Sequence, residues 1–402
     1  MLSKMARIEF ESLEFEDNND FVRVFFLESY YFDIKKDDLE KIGKFSIEKN
    51  AIVFDCSEKR ANNKFNLILN ESFNHLINEI TEKKTIYIHR NSGIPLIGCL
   101  YFGIVDKGSQ MIEIKPLTGC DINCIFCSVN EGLSSKKSYD FVVEKDYIIE
   151  ELKKLMKIKE EPIDIFINPH GEPLLYKDLK GLIKDIRTIK NIRDISIITN
   201  CNQLTKEYAD ELINAGLTQI NISVNSLDEK NARKYAGTKN YDISKIVQVI
   251  KYLNKKIKVI LSPVFMGGLN EKDINGLIGF AKENSIEIMI QNFQKNKRGR
   301  NPAKEVHWNK FFDILKSLEE KHDIKLINKE FEIKKTKELD MPFKKNEQIK
   351  AVIKSYGRTE NERIAVSKER SIVVMNSKEH IGKEIKIEIT KANHNIFIGK
   401  KI

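Results

Sequence analysis

Apolar residues along this 402-residue chain change their spacing from one region to the next. Residues 1–110 carry short alternating runs, such as Phe21-Val-Arg-Val-Phe-Phe26 and Ala51-Ile-Val-Phe-Asp55, that read as strands. They also hold a helical stretch around 73–80 and a long apolar run, 94–105, that reads as one or two buried strands. From 111 to about 292 the pattern becomes a strand–helix alternation. Apolar segments at 112–117, 163–168, 195–199, 219–224, 258–264 and 286–291 are separated by amphipathic stretches near 143–158, 177–190, 205–215, 242–254 and 271–284. Thr205 and Asn270 stand where helix caps belong, and Gly216 where a helix stops. Such alternation predicts a parallel sheet covered by helices, and periodicity alone leaves an open doubly wound sheet and a partial (β/α)6 barrel equally open. A helix near 304–321 carries Trp308, and a charge-rich linker follows. Five short alternating segments (348–356, 363–366, 371–375, 384–390 and 396–399) then predict a small β-barrel.

Composition narrows this picture little, but charge changes it. At 41% hydrophobic and 32% charged, the chain is globular rather than disordered. No run approaches the roughly 20 apolar residues that cross a bilayer, so no membrane partner is expected on that count. The opening residues lack a hydrophobic signal core, so the expected location is cytoplasmic, where reducing conditions keep thiols available. Net charge is +9, and residues 342–402 hold 14 Lys and Arg against 7 Asp and Glu. That asymmetry suits a polyanionic partner, nucleic acid before membrane surface, and equally a solvated lysine-rich face.

The candidate chemistry centres on Cys120-Asp-Ile-Asn-Cys124-Ile-Phe-Cys127, three of the chain's six cysteines. Structural zinc sites want four closed ligands, commonly in Cys-x2-Cys pairs, and no second pair follows here. The Cys-x3-Cys-x2-Cys spacing lets three thiolates reach three irons of one [4Fe-4S] cube and leaves the fourth iron open. Cys99 reads as a small core hydrophobe. One strand later comes Pro169-His-Gly-Glu-Pro173, in which Gly171 permits close backbone approach and Glu172 offers a carboxylate at a strand end. Later strands end in Thr199-Asn-Cys201, Ser223-Val-Asn225-Ser-Leu-Asp228 and the 261–270 stretch closing on Gly268-Leu-Asn270.

Together these segments, over about residues 111–292, resemble the radical S-adenosylmethionine (SAM) superfamily, and within it the molybdopterin-precursor cyclase branch. The resemblance implies that Cys120, Cys124 and Cys127 hold a [4Fe-4S] cluster, that Phe126 packs beside it, and that Gly171, Glu172, Ser223 and Asn225 contact SAM. It places Thr199 towards substrate, and it favours the partial barrel. Two positions depart from the pattern. His170 stands where a second Gly is frequent, as a substrate-side acid or base or a plain loop residue. Cys201 replaces a Gly, so a changed turn is expected there. No cysteine follows Cys201, so no auxiliary cluster is expected. The basic run 295–300, including Arg298 and Arg300, is a candidate phosphate contact or barrel-mouth lining.

The C-terminal stretch from Ile349 to Arg358, with Arg363-Ile-Ala365 and 386–398, is similar to TRAM domains, small RNA-binding barrels. Tyr356 or Phe397 would there stack on bases, Phe397 alternatively filling the barrel core. The expected class is therefore α/β: an N-terminal mixed α/β segment (1–110), a partial (β/α)6 barrel (111–327), a linker (328–341) and a small OB-like β-barrel (342–402). The expected function is SAM-dependent radical modification of RNA, served by an electron-donor protein. Small-molecule or cofactor biosynthesis stands as the alternative, and a non-catalytic zinc-containing RNA-binding protein as the third.

Overall fold

A computed structural model describes residues 5–327 and 333–402, so the first part of the expected linker, 328–332, lies outside the described residues. Its central sheet has six parallel strands in chain order: Met111–Lys115, Ile163–Ile167, Ile192–Thr199, Gln219–Ile222, Lys258–Leu261 and Glu287–Ile288. Helices Lys145–Met156, Leu179–Arg187, Lys206–Ala215, Ile243–Leu253 and Glu271–Glu283 alternate with them. Each turns apolar residues inwards, such as Leu179, Leu182, Ile183 and Ile186 in the second and Ala209 and Leu212 in the third. Thr205 caps its helix by accepting from the Tyr208 N–H at 3.1 Å. Asn270 instead spends its side chain on Met266 N and Val264 O, pinning the turn before its helix.

Beyond the strand ends the chain pairs again in short parallel ladders, Thr118–Gly119 with His170–Gly171 and Val264–Phe265 with Gln291–Asn292. These rims carry most of the polar motifs. A seventh strand, Gly103–Asp106, joins the sheet antiparallel at the edge beside Met111–Lys115. It is the single strand in the apolar run 94–105. The rest of that run is a buried loop in which Leu96, Cys99 and Phe102 are fully covered.

The N-terminal segment forms a six-stranded sheet and a three-stranded one. The larger sheet borrows Tyr139–Val143 from the middle of the chain, parallel to Lys84–Ile88. One apolar core runs through both regions. The helix expected around 73–80 lies earlier, at Glu58–Ser72, and gives way to a short 3-10 turn and the strand Ile77–Asn78. Its inward stripe is only Ala61, Phe65 and Leu69 among Lys and Asn, too thin to stand out, while Phe73 packs edge-on against Phe26.

Residues 342–402 form a closed barrel of the strands Gln348–Tyr356, Glu362–Ser367, Arg370–Met375, Ile396–Lys401 and Glu384–Asn393, in that spatial order. Its own core includes Phe343, Ile353, Ile372, Ile387, Ile389 and Phe397. The barrel is docked on the buried 94–102 loop by Ser371 N donating to Ile97 O (2.9 Å) and Phe397 N to Gly98 O (3.0 Å). Gly98 makes this approach possible: its φ is +123°, and a Cβ there would lie 2.1 Å from Ser371 O. Residues 333–341 lie along the sheet edge, where Lys159 Nζ donates to Thr336 Oγ1 at 3.0 Å.

Candidate active site

The cysteine loop leaves the Thr118–Gly119 rim and is held by partners far away in sequence. Asn123 N donates to Ala236 O (2.8 Å) and Ile125 N to Tyr235 O (3.1 Å), both at the end of the helix Glu229–Ala236. Gly237 closes that helix at φ +65°, and a Cβ there would meet Asn123 O at 2.0 Å. Asp121 accepts from Asn200 Nδ2 (2.9 Å), Asn202 Nδ2 (2.8 Å) and Gln203 Nε2 (3.0 Å), tying the loop to the rim after Ile192–Thr199.

From behind, two arginines clamp the loop. Arg300 donates to Cys124 O (2.7 Å) and Glu131 O (2.6 Å). Arg358, reaching across from the terminal barrel, donates to Val129 O and to Glu131 Oε1, both at 2.7 Å. The buried Glu131 carboxylate also pairs with Lys137, and Lys137 with the fully buried Asp140. Glu131 N in turn donates to Cys127 Sγ at 3.2 Å. A sulfur that receives such a bond carries negative charge more easily, one of the ways a protein tunes a thiolate-bound metal centre.

The three thiols open on a cavity of about 570 Å³, within the range of roughly 300–1,000 Å³ usual for ligand sites. Glu172 stands on its wall. One carboxylate oxygen accepts from Thr199 Oγ1 (2.5 Å) and Leu174 N (3.1 Å), the other from Asn200 N (2.8 Å). Burial, with the nearby Asp121 charge, pushes its carboxyl up to about 8. Gly171 is required beneath it, since a Cβ would lie 2.1 Å from Gly119 O, the acceptor of the Glu172 N–H. His170 also lines the cavity, and its Nδ1 has no hydrogen-bond partner. Burial, then the Lys115, Arg358, Lys137 and Arg298 charges, hold it well below the usual imidazole range.

Cys120, Cys124, Cys127, Phe126, His170, Gly171, Glu172, Thr199 and Ser223 therefore share one cavity. Asn225, Arg298 and Arg300 do not line it. Asn225 accepts from Val264 N at 2.8 Å, fixing the neighbouring rim. Arg300 holds the cysteine loop, and Arg298 pairs with Glu362 of the terminal barrel at 2.8 Å. Thr199 reaches the cavity but gives its hydroxyl to Glu172. Cys201 keeps a left-handed backbone, φ +63°, so the turn is preserved without its glycine, and burial raises its thiol. Sequence reasoning missed Asp121, Glu131, Lys115, Asn200 and Arg358, as well as the helix Glu229–Ala236. The signal for that helix was Asp228, which caps it by accepting from Asn231 N at 2.9 Å.

The donor set suits an iron–sulfur cluster. Burial pushes the Cys124 thiol up to about 12 and raises Cys120, so ionising them calls for nearby positive charge such as iron provides. Among the described residues no helix is long and apolar enough to cross a membrane.

Sequence comparison agrees with this reading. The sequence model of the radical SAM superfamily matches residues 114–281. An uncharacterized protein of Methanocaldococcus jannaschii is 34% identical over 393 residues, 89% of this chain and 90% of that one. A GTP 3',8-cyclase of Campylobacter jejuni subsp. doylei is 31% identical over 227 residues, 56% of this chain and 68% of the cyclase. Among solved structures, Streptococcus suis SuiB aligns with a TM-score of 0.41 at 15% identity, covering 79% of this chain and 70% of that one.

Proposed function

The chain belongs to the radical SAM superfamily, and from that premise we propose that it cleaves SAM reductively to modify a nucleotide of RNA presented by its terminal barrel. Its cofactors are a [4Fe-4S] cluster and SAM. Bound in the cavity and given an electron by a donor protein, the two would supply radical chemistry to a neighbouring substrate. Cys120, Cys124 and Cys127 would hold the cluster, with Phe126 beside it in the same cavity. Glu172, with Gly171 and Ser223, would receive the amino end of SAM. An ammonium group there would favour the ionised carboxylate that burial opposes. Thr199 and Asn200 keep that carboxylate aimed, and Asn225 fixes the adjoining rim.

One observation carries the RNA assignment. The terminal segment 342–402, which holds 14 Lys and Arg against 7 Asp and Glu and resembles a TRAM domain, touches the cysteine loop directly through Arg358. The test is to incubate reconstituted protein with SAM, reductant and total RNA, then analyse nucleosides by mass spectrometry. A SAM-dependent mass change in one nucleoside supports the assignment. Turnover with unaltered RNA but a consumed small nucleotide replaces it with the second reading.

That second reading, chemistry on a free nucleotide, has its own support. Tyr356 stacks on Tyr139 at 4.8 Å and 2°, and Phe397 fills the barrel core, so neither ring is free to stack on a base in this arrangement. A relative at 31% identity is a GTP 3',8-cyclase.

A further inference from the structure

A second, smaller cavity of about 200 Å³ lies at the junction of the cysteine loop, the 295–300 run and the terminal barrel. Lys136 and Lys137 come from the first, Arg298 from the second, and Arg358 with Thr359 from the third. Ser135 adds a hydroxyl, and no acidic side chain lines the space. Four cations from three segments would repel one another if nothing offset them. Glu131, Asp140 and Glu362 do so from behind, through Arg358, Lys137 and Arg298. Those acids account for three cations. Lys136 is exposed and has no ion-pair partner among the described residues. Arg358 is 5% exposed, yet its Nε has no acceptor. A buried, unpaired guanidinium N–H is costly unless a ligand takes it up.

We infer that this cavity is a phosphate-binding subsite, taking one phosphate ester of a nucleotide substrate beside the reaction cavity. The surplus of a single positive charge suits a phosphodiester, with one negative charge and several acceptor oxygens. The volume is below the roughly 300–1,000 Å³ of a whole-ligand pocket, so it suits one group of a larger molecule. The remainder has somewhere to go, because Val129 lines this cavity and the reaction cavity alike. This deepens the RNA reading and rests on it in one respect, that the phosphate belongs to a polynucleotide backbone.

The test uses the full chain and a fluorescent single-stranded RNA 12-mer, with adenosine 5′-monophosphate as the second probe. Affinity is measured across a salt series for wild type, Lys136→Ala, Lys136→Glu and the control Lys153→Glu, an exposed helix residue that lines neither cavity. Expected is a several-fold weaker RNA affinity for Lys136→Ala, a larger loss for Lys136→Glu, and a log–log salt slope shallower by about 0.7 for the single lost contact. Lys153→Glu should change little. Equal effects of Lys136→Glu and Lys153→Glu would overturn the subsite while leaving RNA binding intact. If wild type ignores RNA but binds the mononucleotide in a Lys136-dependent way, the subsite stands and the RNA reading falls. Lys136-independent behaviour towards both probes, including no binding at all, overturns the subsite.

Discussion

The cysteine loop and the terminal barrel meet at Arg358 but are stabilised in opposite ways. The barrel has its own ladder and its own apolar core. The loop has little internal support. Its shape comes from carbonyls at Tyr235 and Ala236, amides at 200–203, and two arginines more than 160 residues away in sequence. Local sequence thus writes the barrel, while the loop is written by the rest of the molecule. A site assembled in this way should be sensitive to changes that leave the barrel folded.

The largest effect expected within this contrast is at the loop itself. Cys124→Ala should reduce iron from about four per reconstituted chain to a small remainder, measured by metal analysis, while the fold persists. Retention of full iron would remove Cys124 from the ligand set. Next comes Arg358→Ala, which breaks one arm of a buried ion pair, a change that costs about 3 kcal/mol or more in comparable cases. It should lower the urea midpoint and speed iron loss to a chelator, yet leave the barrel strands protected in hydrogen exchange. Unaltered iron retention would mean the barrel is merely attached. Gly237→Ala follows, at about 1–3 kcal/mol for a left-handed site with a Cβ pressed on Asn123 O; it too should act on iron retention before global unfolding.

The smallest expected effect is a pH dependence. His170 is held below its ordinary value, so the unfolded chain takes up a proton near pH 6.5 that the folded chain refuses. Stability present above that pH should decline as the solution is acidified, and His170→Gln should flatten that part of the profile. A profile unchanged by the substitution would mean that the imidazole protonates in the folded protein.

How much of this was legible depended on distance in sequence. Short motifs gave the three cysteines, Gly171 and Glu172, and period-2 and helical spacing gave the parallel strands and the five strands of the barrel. Each of those signals lies within a few residues. Glu131 could not be read as a site residue, because its meaning comes from Arg358, 227 positions later. Asn225 sits in a motif that resembles a SAM contact, and its side-chain oxygen also accepts from Val264 N, a pairing set by how two rims meet. The helix Glu229–Ala236 is polar on most faces and turns only Ala232, Tyr235 and Ala236 inwards, a stripe too thin to stand out despite a good cap.

The most direct measurement is of 5′-deoxyadenosine released by reconstituted protein given SAM and dithionite, beside Cys124→Ala treated identically. The account predicts product from the wild type that requires reductant and is absent from the variant. Release equal in both, or none from a wild type carrying its full iron, would contradict it.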